Sequence, residues 1–153
     1  GGDTQFVNMT RAYEDLPPEI KKRIEGRKAK HVYQSKFSAR KLTGLTPEAK
    51  KHVPDFVMHP LVRTHPETGR KSLYVNPIRI EAIEGLEEAE TLKLLDALID
   101  HATQTKYQYR HQWRLNDLVM WDNRCLLHKA NGDYDHSQTR YLYRVMLQGD
   151  APF

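Results

Sequence analysis

One cysteine, Cys125, is all the thiol chemistry in this chain of 153 residues, so no intramolecular disulfide can form and nothing calls for an oxidising compartment. A cytoplasmic setting is expected. No apolar run approaches the roughly 18 residues of a membrane-spanning helix, and the opening GGDTQFVNM has neither the charged nor the apolar region of a signal peptide. No membrane association is expected. An initiating methionine is also missing, and we expect a chain that opens on Gly1-Gly2-Asp3-Thr4 to be processed or cut from something longer. Repeats and low-complexity tracts are absent, and the 39% hydrophobic content argues for a folded chain of one domain's size.

A strong excess of one charge is lacking too. The net charge of +4 is mild and concentrated in KKRIEGRKAKHVYQSKFSARK, Lys21 to Lys41. Tyr33 and Phe37 interleave with the cations there, but no nucleic-acid motif accompanies them, so the stretch reads as a solvated helix followed by a mobile basic loop. Nucleic acid is not expected as a partner.

What is present is local patterning. Two short helices are predicted, from Thr10 to Leu16 and from Pro18 to Gly26, with proline at the first turn of the second and glycine closing it. TPEAKKH offers a third, with Thr46 as N-cap and Pro47 at the first position. Two apolar pieces around Leu61-Val62 and Leu73-Val75 flank a Pro-Glu-Thr-Gly turn, the pattern of a β-hairpin, in which Gly69 takes the strained angle. LEEAETLKLLDALIDHA places Leu92, Leu95, Leu98, Ile99 and Ala102 at helical spacing, with acids gathered in its first turn. In YQYRHQWR, Tyr107, Tyr109, His111 and Trp113 alternate with polar residues as on a strand. LVMWD, CLLH and RYLYRVML read as three more strands. The expected fold is mainly β with peripheral helices.

The last strand carries the sharpest chemistry. Alternation puts Arg140 and Arg144 on one face, about 13 Å apart along the backbone at roughly 3.3 Å per residue. Two guanidinium forks aimed into one cavity suit a carboxylate or sulfonate; on spacing alone, two surface arginines explain the pattern as well. His128 closes CLLH ahead of a polar loop, and a lone histidine at a strand end is more often a hydrogen-bonded structural residue than a ligand.

Together WDN, His128, the loop and the Arg140/Arg144 pair resemble the C-terminal signature of the taurine/2,4-dichlorophenoxyacetate dioxygenase family, iron(II)- and 2-oxoglutarate-dependent enzymes with a double-stranded β-helix (jelly-roll) fold. GGDT, AYEDLP, HPLVRTHPETGR, YVNP and QGDAPF are similar to segments of that family in the same order. The resemblance implies that residues 1–153 are the C-terminal portion of a single dioxygenase domain, with the jelly roll incomplete in this chain. It makes His128 the distal histidine of the iron site. Arg140 would bind the far carboxylate of 2-oxoglutarate with help from the Thr4 hydroxyl. Arg144 would lie near the cofactor's other end and hold an anionic substrate, with Tyr74, Asn76 and Ile78 approaching that substrate. Asp122 and Asn123 read as structural turn residues.

The family hydroxylates small organic molecules using O2 and converts 2-oxoglutarate to succinate and carbon dioxide. Iron(II) in such enzymes takes two histidines and one carboxylate on one face. The remaining two ligands come as a His-x-Asp or His-x-Glu pair upstream of GGDT in the family. His65-Pro66-Glu67 is the only His-x-acid string here, and it falls in the predicted hairpin turn, where the family has no ligand. The chain alone is therefore expected to be inactive and to hold iron poorly. Uncovered sheet edges would favour self-association into a homo-oligomer. The alternative is a non-catalytic jelly-roll binding module or pseudoenzyme, one version of which contacts nucleic acid through residues 21–41.

Overall fold

A computed structural model describes residues 1–149 and 151–153; Asp150 of the QGDAPF motif lies outside the described residues. In chain order the elements are β1 (Thr4–Asn8), α1 (Met9–Glu14), α2 (Pro18–Ile24), β2 (Lys28–His31), α3 (Pro47–His52), β3 (Val57–Pro60), β4 (Val62–Thr64), β5 (Lys71–Leu73), β6 (Ile80–Ile83), α4 (Glu88–Ala102), β7 (Gln108–His111) and β8 (Leu126–Ala130). The strands form three antiparallel sheets, ordered β7-β1-β8, β3-β2-β6 and β4-β5. The chain is mainly β with few helices, as its patterning predicts. Among the described residues, no helix is long and apolar enough to cross a membrane.

Local chemistry sets the helix ends. Asn8 caps α1 by accepting from the Arg11 amide, and Thr46 caps α3 by accepting from the Ala49 amide at 3.2 Å. Pro18 starts α2 and Pro47 starts α3, where a missing N–H costs nothing. Gly69 turns the β4-β5 hairpin at φ +67°, an angle that L side chains resist.

One apolar core unites these pieces. Val7 of β1, Met9 and Ala12 of α1, Ile24 of α2, Ala29 of β2, Ile80 and Ile83 of β6, and Leu94, Leu95 and Leu98 of α4 are all buried in it. The inward stripe of α4 includes Leu94, whereas Leu92 is only half buried, so the helix is turned slightly from the face expected. Thr91 is buried in the first turn, where its hydroxyl accepts from the Ile83 amide.

Four expectations are corrected. The basic stretch is helical as far as Ile24, as expected, but does not then run straight into a loop: Lys28–His31 is the central strand of a sheet, Ser35 is fully buried, and Lys30 and Lys36 pair with Glu81 and Glu88. Its apolar partners lie far away in sequence, which hides the strand from local periodicity. LVMWD forms no strand, and Leu118 and Met120 are exposed. RYLYRVML forms none either, with Tyr143 and Leu147 exposed, so Arg140 and Arg144 do not share a strand face. An apolar run becomes a strand only when another strand takes its hydrogen bonds, and no described strand pairs with either segment. Finally, β7 begins at Gln108; Tyr107 sits in a 3-10 turn, is buried, and donates its hydroxyl to Asp15 at 2.9 Å.

Candidate functional site

The site is built on β1 and the strands flanking it. Register pairs Phe6 with His128 on one side and with Tyr109 on the other, and Thr4 with Ala130 and His111. Residues directly opposite share a face, so Thr4, Phe6, Tyr109, His111 and His128 all look out from the side away from Val7. That face is aromatic. Trp121 packs edge-on to Phe6 at 5.3 Å between ring centres and lies 5.2 Å from His128, while Phe6 and His128 are 6.2 Å apart. Thr4 and Phe6 at its centre are buried, whereas Tyr109 and His128 on the flanking strands are exposed, so the face is open at its flanks.

His128 is exposed on this face. Partial desolvation by the rings packed beside it first, and then the Arg144 guanidinium, push its imidazole below the ordinary range, which keeps the ring neutral and its nitrogen lone pair available near neutral pH. The same histidine lines a cavity of about 470 Å³ together with His31, Tyr33, Tyr74, Asn76 and Arg79. His31 stacks on Tyr74 and His59 packs edge-on to both, and the His31 Nε2 atom is buried without a hydrogen-bond partner among the described residues. Asn76 reaches the cavity but commits its Oδ1 to the Ile78 amide at 2.9 Å. Ile78 itself is not among the lining residues.

At the end of β1, the GGDT turn brings together groups far apart in sequence. Arg140 donates from Nε to the Gly2 carbonyl at 2.7 Å. Gly2 has φ +74°, and a Cβ there would stand 3.0 Å from the Arg140 Cδ, so the arginine lies against a place only glycine leaves open. Asp133 accepts from the Gly2 amide at 3.0 Å and pairs with Arg110, whose Nε also donates to the buried Asp3 carboxylate at 2.7 Å. Trp113 donates its indole N–H to the Thr4 hydroxyl at 2.9 Å. Arg140 thus lies against Gly2, two residues before Thr4, whereas Arg144 is exposed and is felt through its charge on His128.

His65 and Glu67 serve otherwise. His65 Nε2 lies 3.0 Å from Asp122, and Glu67 pairs with Arg124. His65, Asp122 and Cys125 are the only described group of three metal-capable donors held close together. The Glu67 and Thr68 amides point at His65 Nδ1, which makes Nδ1 the acceptor and puts the ring proton on Nε2, facing Asp122. A metal would have to displace that proton, and burial pushes the Cys125 thiol up and away from the thiolate form. The cluster is a hydrogen-bonded knot.

Residues 1–146 match the family described as taurine catabolism dioxygenase TauD, TfdA family. The chain belongs to that family. It is 43% identical over 153 residues to an alpha-ketoglutarate-dependent 2,4-dichlorophenoxyacetate dioxygenase of Cupriavidus pinatubonensis, covering 99% of this chain and 52% of the relative. It is 41% identical over 157 residues to an (S)-phenoxypropionate/alpha-ketoglutarate-dioxygenase of Sphingobium herbicidovorans, covering 98% and 53%. The solved structure of AAD-2 in complex with Mn(II) and N-oxalylglycine superposes with a TM-score of 0.80 at 40% identity, over 92% of this chain and 55% of that one. The chain spans about half the length of the curated relatives it matches.

For this TauD, TfdA family chain, the residues that sequence reasoning passed over are Gly2, Asp133 and Trp113. Gly2 was visible only as part of GGDT. Asp133 lies in the NGD loop, a signal for a turn rather than for a partner of Arg110. Trp113 shows as one of an alternating aromatic set, with nothing local to indicate that its N–H meets Thr4 109 residues away.

Proposed function

We propose that residues 1–153 are the C-terminal portion of a single Fe(II)/2-oxoglutarate-dependent dioxygenase domain with a jelly-roll fold, which hydroxylates a small anionic substrate with release of succinate and carbon dioxide. The observation that carries this reading is the convergence on β1 of His128, paired opposite Phe6, and of Arg140, which bonds the Gly2 carbonyl two residues before Thr4. The aromatic face around Phe6 and Trp121, exposed on its flanks at Tyr109 and His128, is where a second sheet of the jelly roll would close over the site.

The donor chemistry fits iron in part. His128 suits one position of a two-histidine, one-carboxylate set, and no described carboxylate or second histidine clusters with it. Bound iron would supply O2 activation coupled to oxidation of the keto acid. The chain's own residues do the rest. Arg140 grips the far carboxylate of 2-oxoglutarate, and its Nε bond to Gly2 holds the guanidinium against the turn. Thr4 accepts from Trp113 and so has its single proton left to donate to the same carboxylate. His128 offers a neutral nitrogen. Arg144 places positive charge near His128, where it would hold the anionic end of the substrate, and Asn76 and Tyr74 line the adjoining cavity. The aromatic lining favours an aryloxy carboxylate, the kind of compound named for two of the relatives above.

The test is kinetic. In the protein that carries this chain, Arg140→Ala should raise the KM for 2-oxoglutarate by about a hundredfold. Arg144→Ala should raise KM for phenoxy acids or sulfonates and leave 2-oxoglutarate affinity alone. Succinate release with neither class of anion would contradict the substrate reading, and an unchanged 2-oxoglutarate KM in Arg140→Ala would contradict the co-substrate reading.

A further inference from the structure

We propose that His65, Asp122 and Arg124, with Glu67, form a positioning knot that fixes the register of β8 and so decides which way His128 faces. The knot ties together two sheets. His65 sits at the end of the β4-β5 hairpin, held by the Arg70 carbonyl and the Gly69 amide. Its Nε2 meets Asp122 Oδ2 at 3.0 Å. The Asp122 carboxylate then takes the Arg124 amide at 2.7 Å and the Arg124 guanidinium at 2.7 to 2.9 Å, and the same guanidinium reaches Glu67 at 2.9 Å. The Arg124 guanidinium holds the Asp122 carboxyl well below the usual carboxylate range, so the knot stays charged at any physiological pH.

The turn it grips leads directly into β8. The Cys125 and Leu126 amides both point at the Asp122 carbonyl, the fully buried Ser72 hydroxyl of β5 donates to the Arg124 carbonyl at 3.2 Å, and the Met9 amide donates to the Cys125 carbonyl at 3.0 Å. Leu126 is thereby delivered opposite Asn8, and His128 opposite Phe6. This matters because β8 is an edge strand whose one described ladder is with β1. A slip of a single residue along that ladder would turn His128 to the opposite face, away from Phe6 and Trp121. The packing of Leu127 on the core opposes such a slip along these five pairings. The ion pairs add a fixed starting point at Asp122 and Arg124, four and two residues before the ladder begins at Leu126.

This inference rests on reading His128 as the functional histidine, but its test does not need a metal. In the full chain, Asp122→Asn sets an amide N–H2 against the His65 and Arg124 donors while changing almost no volume. Hydrogen exchange at the amides of Leu126–Ala130 should then run at least about tenfold faster, with the amides of Lys28–His31 in the other sheet unchanged. The contacts of the His128 ring with Phe6 and Trp121, read as nuclear Overhauser effects, should weaken together with it. If Asp122→Asn does not fold, His65→Gln carries the same comparison with a milder change. Unchanged exchange in β8, equal loosening of both sheets, or faster exchange with the His128 ring contacts intact would each overturn the proposal. A variant series that behaves as expected while the parent releases no succinate in its whole protein would instead count against the dioxygenase reading and leave the knot standing.

Discussion

The indole N–H of Trp113 donates to the Thr4 hydroxyl at 2.9 Å. A hydroxyl has one proton and two lone pairs, and an indole can only donate. With Trp113 occupying a lone pair, the proton of Thr4 is directed elsewhere, beside the turn where Arg140 bonds Gly2.

Trp113→Phe keeps the ring and removes this donor. Affinity for 2-oxoglutarate should fall by roughly three- to tenfold, the size of one neutral hydrogen bond, while the unfolding midpoint of the chain barely moves. Titration of the co-substrate into the variant measures it. A loss as large as that of Thr4→Ala is not expected, because the threonine hydroxyl can still rotate toward the carboxylate.

Gly2→Ala should be more damaging than its size suggests. The added methyl meets Arg140 at 3.0 Å from Cδ, and the backbone at φ +74° opposes any L side chain. A rise of about tenfold or more in the 2-oxoglutarate KM is expected. Gly44→Ala, where a new Cβ meets nothing within 4 Å, is the matched control and should be silent.

Burial drives the His31 pKa down from 6.5 to about 4, helped by the positive neighbours His59 and Arg79. The unfolded chain takes up this proton near 6.5, whereas the folded chain resists until about 4. Stability is therefore complete above 6.5 and is lost progressively as the pH falls toward 4. The partial exposure of His31 reduces the effect to roughly 1 to 3 kcal/mol. Urea unfolding at a series of pH values should show this slope, and His31→Gln should flatten it.

In α4, Leu98→Ala removes a side chain that is 1% exposed and should cost about 2 to 5 kcal/mol. Leu92→Ala, on the half-buried flank, should cost about 1 kcal/mol or less. Denaturant unfolding of the two variants distinguishes the observed stripe from one centred on Leu92.

The elements legible in the sequence are those whose cause is local. The Thr46 cap, the prolines at the starts of α2 and α3, the Gly69 turn and the spacing of the α4 leucines are all written within a few residues of the structure they make. Strand β2 was not, because KAKH is half charged and becomes a strand only through β3 and β6, which lie about 30 and 50 residues further on. The reverse holds for LVMWD and RYLYRVML, which alternate or run apolar as strands do but find no described partner. The site divides in the same way. His128, Thr4 and Arg140 were nameable from motifs, whereas Trp113, Gly2 and the knot of His65 with Asp122 depend on contacts across 57 to 138 residues.

The most direct measurement is succinate release from 2-oxoglutarate by the whole protein with iron(II), comparing the parent with His128→Ala. Loss of one imidazole from a three-ligand site should reduce turnover by about a thousandfold or more and weaken metal binding in step. Turnover that survives His128→Ala at the parent's rate would contradict the assignment of His128, and with it the site built on β1.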